Sequence, residues 1–161
     1  MASELGVQTI QHTNGTDALT IDSSGRVSMP ERPYATVGHT NNLAYVAKAL
    51  GDVVDFDRIL ESNGSDYNTS TYKYIAPLDG LYYVSFGFLT QNDTDKYQID
   101  VFKNTTRMFS PYTVFRTMQA SVIVPASSGD ELYLKFGHAL NFYEGSRPNA
   151  MYNYATYMFM G

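Results

Sequence analysis

The stretch APLDGLYYVSFGF, residues 76–88, decides how this chain is read. Pro77-Leu78-Asp79-Gly80 has the composition of a turn. Beyond it the residues alternate as they do in a strand. Tyr82, Val84, Phe86 and Phe88 fall on one side, and Leu81, Tyr83, Ser85 and Gly87 on the other. The first side is bulky and apolar, as one wall of a core would be. The second side carries no charge, although a solvated face ordinarily carries some. A strand without charge on either side is expected to be covered twice.

Composition extends that reading to the whole chain. Its 161 residues suit one domain. Folding at that length buries roughly 70% of the unfolded surface. The 14 Tyr and 9 Phe, with many Thr, Val and Ser, favour strands. A net charge of −5 and a pI near 5.0 argue against a nucleic-acid partner. The absence of cysteine excludes disulfides and thiolate metal sites. No apolar run approaches the ~20 residues of a membrane-spanning helix. The opening MASELGVQTIQHTNGTD lacks the basic start and apolar run of a signal peptide, so synthesis in a cytoplasm is expected.

Residues 7–12 and 18–22 read as two short strands around Asn14-Gly15, a hairpin signal. Ser23-Ser24-Gly25 turns again, and Arg26–Met29 suggests a third strand. Pro30 and Pro33 close this arm, residues 1–30, which has too few large apolar residues to fold alone. The main domain is expected over 31–161. Within it, 35–38, 72–77, 81–88, 96–103, 109–115, 119–125, 131–137 and 149–160 read as strands. Residues 41–56 are ambiguous, because Leu43, Val46, Ala47 and Leu50 have helical spacing while Val53, Val54 and Phe56 look extended. They are read as loop and short helix passing into a strand around 53–60. Eight to ten strands at this spacing predict an all-β fold, a single β-sandwich or jelly roll.

Several of these residues form a pattern. Asn63, Tyr67 and Tyr74 precede Gly80-x-Tyr82-x-Val84-x-Phe86, and Gly129-Asp130-x-Leu132-x-Leu134 follows. The pattern resembles the jelly-roll domain shared by the complement globular-head and tumour-necrosis-factor families, over roughly residues 34–160. Val84 and Tyr74 stand where those families usually have Phe. The resemblance implies a homotrimer. It also implies that alternate residues of the 81–88 strand face two cores, one inside the sandwich and one on the threefold axis. On that basis Tyr83, Ser85, Gly87, Tyr152 and Tyr154 are expected at the trimer interface. Tyr74, Tyr82, Val84, Phe86, Leu132, Leu134 and Phe136 are expected in the core. Separately, ALTIDSSGRVSMP (18–30) is similar to a segment of virion structural proteins of tailed phages. Val7, Ile10, Leu19 and Ile21 would then serve as the virion anchor.

Residues that could carry chemistry are few. His12, His39 and His138 lie far apart with no carboxylate at ligand spacing. Asp55, Asp57, Asp93, Asp95, Asp100 and Glu131 are the carboxylates a glycosidase could pair. Asp55 and Asp57 share one face of a presumed strand, as solvated acids often do. Asn92-Asp93-Thr94-Asp95 offers oxygen ligands for calcium but lacks the glycine and distal glutamate of an EF-hand. The aromatic group Phe142, Tyr143, Tyr152, Tyr154, Tyr157 and Phe159 suits packing, with sugar stacking as the alternative. No nucleophile motif, phosphate loop, catalytic residue, metal site or cofactor is expected.

The expectation is a non-enzymatic protein on a virion surface, a capsid decoration or cement protein. Its partners would be itself and the major capsid protein or other virion proteins. Neither nucleic acid nor a membrane is among them. The absence of heptads and collagen-like triplets favours this over a tail-fibre host-recognition domain. That second role would add a host-surface glycan as partner. A soluble carbohydrate-binding lectin is a third reading.

Overall fold

The computed structural model describes residues 6–39, 45–91, 96–143, 146–147 and 150–161. The chain divides into two compact units, Met1–Arg32 and Pro33–Gly161. The described residues hold strands and no helix. In the first unit these are β1 (Thr9–Gln11), β2 (Asp17–Ile21) and β3 (Val27–Ser28). In the second unit β4 (Tyr34–Gly38), β5 (Tyr45–Lys48), β6 (Arg58–Asn63), β7 (Tyr67–Asn68) and β8 (Lys73–Ile75) come first. They are followed by β9 (Gly80–Leu89), β10 (Tyr97–Lys103), β11 (Thr106–Phe109), β12 (Tyr112–Thr113) and β13 (Thr117–Ala126). The last are β14 (Glu131–Phe136), β15 (Leu140–Tyr143), β16 (Ser146–Arg147), β17 (Ala150–Met151) and β18 (Tyr154–Phe159).

The first unit is an antiparallel meander, β1-β2-β3. Its first turn uses Gly15 at φ 88°, and Asn14 Oδ1 accepts from the Thr16 amide. Its second turn is organised by the Asp22 carboxylate, which accepts from the Ser24 and Arg26 amides and from Arg26 Nε at 2.7 Å.

The second unit is a jelly-roll sandwich. One sheet runs β13-β9-β18-β4-β6 and the other β11-β10-β14-β8-β7, with β12 also on β10. The 81–88 segment lies in β9, flanked by β13 along ten residue pairs and by β18 along six. Tyr82, Val84 and Phe86 are fully buried, as are Tyr74, Leu132, Leu134 and Phe136 of the other sheet. The sheets meet through aromatic rings. Tyr74 of β8 stacks on Tyr157 of β18 at 5.3 Å with only 4° between planes. Phe142 touches both Phe88 and Phe136 at 5.2 and 5.1 Å. Such pairs add about 0.5–1.5 kcal/mol each beyond burial.

The turn before β9 and the turn before β14 hold one another. Tyr82 reaches back to Pro77-Leu78-Asp79-Gly80, its hydroxyl donating to the Leu78 carbonyl at 2.8 Å. Asp79 Oδ1 accepts from the Ser128 amide, and Ser128 Oγ donates to the Pro77 carbonyl. Asp130 closes the second turn by accepting from the Ser127 amide and from Asn104 Nδ2. Those donors, with Lys103, hold its carboxyl below the usual carboxylate range. A carboxyl lowered in the folded state stabilises fully above its unfolded value, about pH 4. That contribution is lost as pH falls through the folded value. Asp130→Ala should therefore lower the melting temperature by about 2–4 °C at neutral pH. The difference from wild type should narrow as pH falls below the unfolded value, because the folded carboxyl titrates lower still. Thermal scans across that pH range measure it.

Gly80 opens β9 at φ 150°. A Cβ there would lie 2.6 Å from the Phe159 ring and 2.7 Å from the Gly161 carbonyl oxygen. Backbone strain and the clash act together, so Gly80→Ala is expected to cost about 1–3 kcal/mol in urea unfolding.

Three segments depart from the sequence expectation. The short helix within 41–56 is absent from its described part. Residues 45–48 are strand β5, where Val46 pairs with Phe142 of β15. Leu50, a member of the helical spacing, is 69% exposed, while Leu43 lies outside the described residues. Ladder hydrogen bonds and the burial of Phe142 outweigh the local periodicity. The 109–115 segment is broken at Ser110-Pro111, because proline has no amide to donate. The closing segment bends at residues 152–153, where the buried Asn153 side chain accepts from the Leu89 amide at 2.5 Å.

Candidate assembly face

The outward side of the β13-β9-β18-β4-β6 sheet answers the question posed by β9. Cross-strand partners share a face, so the registers sort its side chains into rows. Ile123, Tyr83, Met158 and Tyr34 form one row across four strands. Ser121, Ser85, Thr156 and Thr36 form the next, with Thr36 and Thr156 hydroxyls 3.1 Å apart. Gln119, Gly87, Tyr154 and Gly38 form the third. An apolar row thus borders a hydroxyl row. The Ser121 and Ser85 hydroxyls also donate to the Tyr83 oxygen, which holds that phenol below its ordinary value.

None of β13, β9, β18 or β4 contains a charged residue. Charge appears only on edge strand β6, as Arg58 and Glu61. The opposite sheet shows what a solvated face looks like in the same molecule. There Lys73 pairs with Glu131 at 2.6 Å, Arg107 with Asp100 at 3.5 Å and Lys103 with Asp130 at 3.8 Å. Lys73 and Lys135 also lie over the Tyr133 ring. Yet among the described residues of the second unit nothing covers the uncharged face. Ile123 is 51% and Leu81 45% exposed, and Tyr83, Ser85, Thr156 and Met158 are only half-buried.

The expected interface residues do not all sit alike. Tyr83, Ser85 and Tyr154 belong to this face and line a hollow of about 250 Å³ with Gln119 and Ser121. Gly87 has a different neighbour from the expected one. A Cβ there would lie 2.6 Å from Tyr154 Cε1, so its missing side chain makes room for a ring of the same chain. Tyr152 is half-buried in the bend before β18, off the ladder. Sequence reasoning named β9 and Tyr154 of β18 and missed Ile123, Ser121, Met158, Thr156, Tyr34 and Thr36. The signal was available: QASVIVP, YATYMFM and ATVG are each without charge. In the arm, Val7, Leu19 and Ile21 are half-buried and Ile10 is 52% exposed.

The residues considered for chemistry are dispersed. Asp55 pairs with Lys48 at 2.7 Å, and Asp57 is exposed. Asp100 is buried and accepts from Ser110 Oγ and Gln98 Nε2. His39 packs between the Phe56 and Phe142 rings, His12 Nδ1 accepts from the Asn14 amide, and His138 is exposed. No cluster of three metal-ligating side chains occurs among the described residues. Asp93 and Asp95, with the calcium reading attached to them, lie outside the described residues. Phe142 and Tyr157 are core, and Phe159 packs against it. The Tyr143 side chain lies outside what is described.

The C1q domain family model matches residues 36–157. The chain belongs to the C1q-domain family. The globular domain of zebrafish complement 1qA protein matches with a TM-score of 0.55 at 14% identity, covering 80% of this chain and 96% of that one. Murine APRIL gives a TM-score of 0.61 at 11% identity, covering 80% and 99%. The Eiger TNF of S. frugiperda gives 0.57 at 11%, covering 81% and 94%. At these identities the likeness is one of fold. No curated protein matches the chain. C1q- and TNF-type homologues form homotrimers, and these domain families are generally non-enzymatic.

Proposed function

We propose that this C1q-domain chain forms a homotrimer through the outward face of β13, β9, β18 and β4. We further propose that it is a non-catalytic surface protein of a tailed-phage virion, a capsid decoration or cement protein. One observation carries the assembly: four adjacent strands without a charged residue present half-covered Tyr, Met, Ile, Ser and Thr side chains to solvent. Burying a charge there would cost several kcal/mol, and burying these side chains does not. A subunit interface of at least the standard ~1,600 Å² is expected. The virion setting is supported by the similarity of ALTIDSSGRVSMP to phage structural proteins. In that setting residues 1–30 attach the trimer to the major capsid protein or its neighbours. Three weak attachments on one body reinforce each other through effective concentration.

Removing residues 1–30 should leave a trimer in light scattering but abolish co-sedimentation with expanded capsids. Retained capsid binding would exclude the decoration role. Immunogold labelling of particles tests location directly, with label on the head expected. One observation favours the tail-fibre reading. Tyr112 in β12 and Phe115 just beyond that strand are each 69% exposed and Val114 between them is 42% exposed, so one short segment presents apolar side chains as a recognition tip does. Label on the tail, with adsorption of purified protein to host cells, would install that reading instead.

A further inference from the structure

The β1-β2-β3 meander has two unlike faces. Ile10 opposes Leu19 and Ile21 opposes Val27, so these four share one face, and alternation adds Met29. Thr9, Thr20 and Ser28 share the other, where the Thr20 and Ser28 hydroxyls are hydrogen-bonded. The apolar face is open: Ile10 is 52%, Val27 58% and Met29 51% exposed. No residue from 6 to 32 is buried. A meander with strands of three, five and two residues has no core of its own.

Size decides what covers that face. Strand residues spaced ~3.3 Å along and ~4.8 Å across the sheet give this meander a footprint of roughly 160 Å². A freely diffusing partner needs about 800 Å² on each side. So small a face can be held only by something already delivered at high local concentration. A trimer delivers two further copies, each tethered through the segment around Pro30 and Pro33. Linkage of that length corresponds to millimolar effective concentration. The Ile10–Leu19 and Ile21–Val27 pairs offer no charge for a foreign surface to recognise and none to repel a copy.

We infer that the three β1-β2-β3 sheets of one trimer close on each other through Ile10, Leu19, Ile21, Val27 and Met29. The hydroxyl face and the turns then point outward. This rests on the trimeric reading above, and it moves particle attachment from the apolar residues to the polar face and turns.

The chain contains no cysteine, so one introduced thiol reports cleanly. Leu19→Cys sits on the middle strand of the apolar face, and Ser28→Cys, on the hydroxyl face, is the control. Each full-length variant is sized by light scattering, then mildly oxidised and run on a non-reducing gel. Leu19→Cys trimers should give a dimer band holding roughly two thirds of the chains, since only two of three thiols can pair. The yield should not change on dilution. Ser28→Cys should stay uncrosslinked. Val27→Cys serves as a second probe, expected to resist a bulky maleimide until urea is added. Trimers whose Leu19→Cys stays reduced and whose Val27→Cys reacts freely would overturn this inference alone. A monomeric mass for the unsubstituted chain would overturn the trimeric reading, and the inference with it.

Discussion

Tyr83→Asp is expected to give a folded monomer of about 18.0 kDa by size-exclusion light scattering, while the wild type elutes as a trimer. Tyr83 points away from its own core, into the row with Ile123 and Met158. A carboxylate is tolerated there as long as the face meets water. In the trimer it would be removed from water three times around one axis, at several kcal/mol for each. Even about 4 kcal/mol weakens association roughly a thousandfold. Tyr83→Phe keeps the ring and removes only the hydroxyl, so it should remain trimeric. Far-UV circular dichroism of the Asp variant should match the wild type. A trimer that survives Tyr83→Asp would remove this face from the assembly.

Phe86→Ala, three residues along the same strand, should fail differently. Phe86 is fully buried and its ring meets Phe88 at 5.4 Å. Truncation leaves a cavity inside the sandwich and is expected to cost about 3–5 kcal/mol. That loss should appear in urea unfolding of the subunit, as a lower midpoint with an unchanged slope. The pair of variants separates the two sides of β9: one substitution dissociates a stable fold, and the other destabilises the fold itself. If Phe86→Ala dissociated the trimer without changing subunit stability, the assignment of the inward side would be wrong.

Much of this was legible because period-two alternation survives in the sequence. Spacing put Tyr82, Val84 and Phe86 on one side of a strand, and Leu132, Leu134 and Phe136 on one side of another; the family resemblance implied that those sides face inward, and all six are buried. Asn14-Gly15 marked the first hairpin, and Gly129-Asp130 stood in the pattern ahead of β14. The sequence was silent where pairing partners are distant. Nothing near Tyr45–Lys48 announces that Leu140–Tyr143 will lie beside it, so local helical spacing misled there. The face itself was half legible. Its charge-free character can be counted strand by strand, but which strands are neighbours depends on the fold. Gly87 shows the limit most clearly. Its role is set by Tyr154, sixty-seven positions away, and no local rule connects them.

The position of β18 has a consequence for biosynthesis. It lies between β9 and β4, so neither can complete its pairing until residues 154–159 have left the ribosome. Until then the nascent chain carries two charge-free strands with open edges, which are prone to stick to other chains. Folding dominated by such distant pairings is slow. Crowded polysomes are therefore where these open edges are expected to meet the edges of other nascent chains.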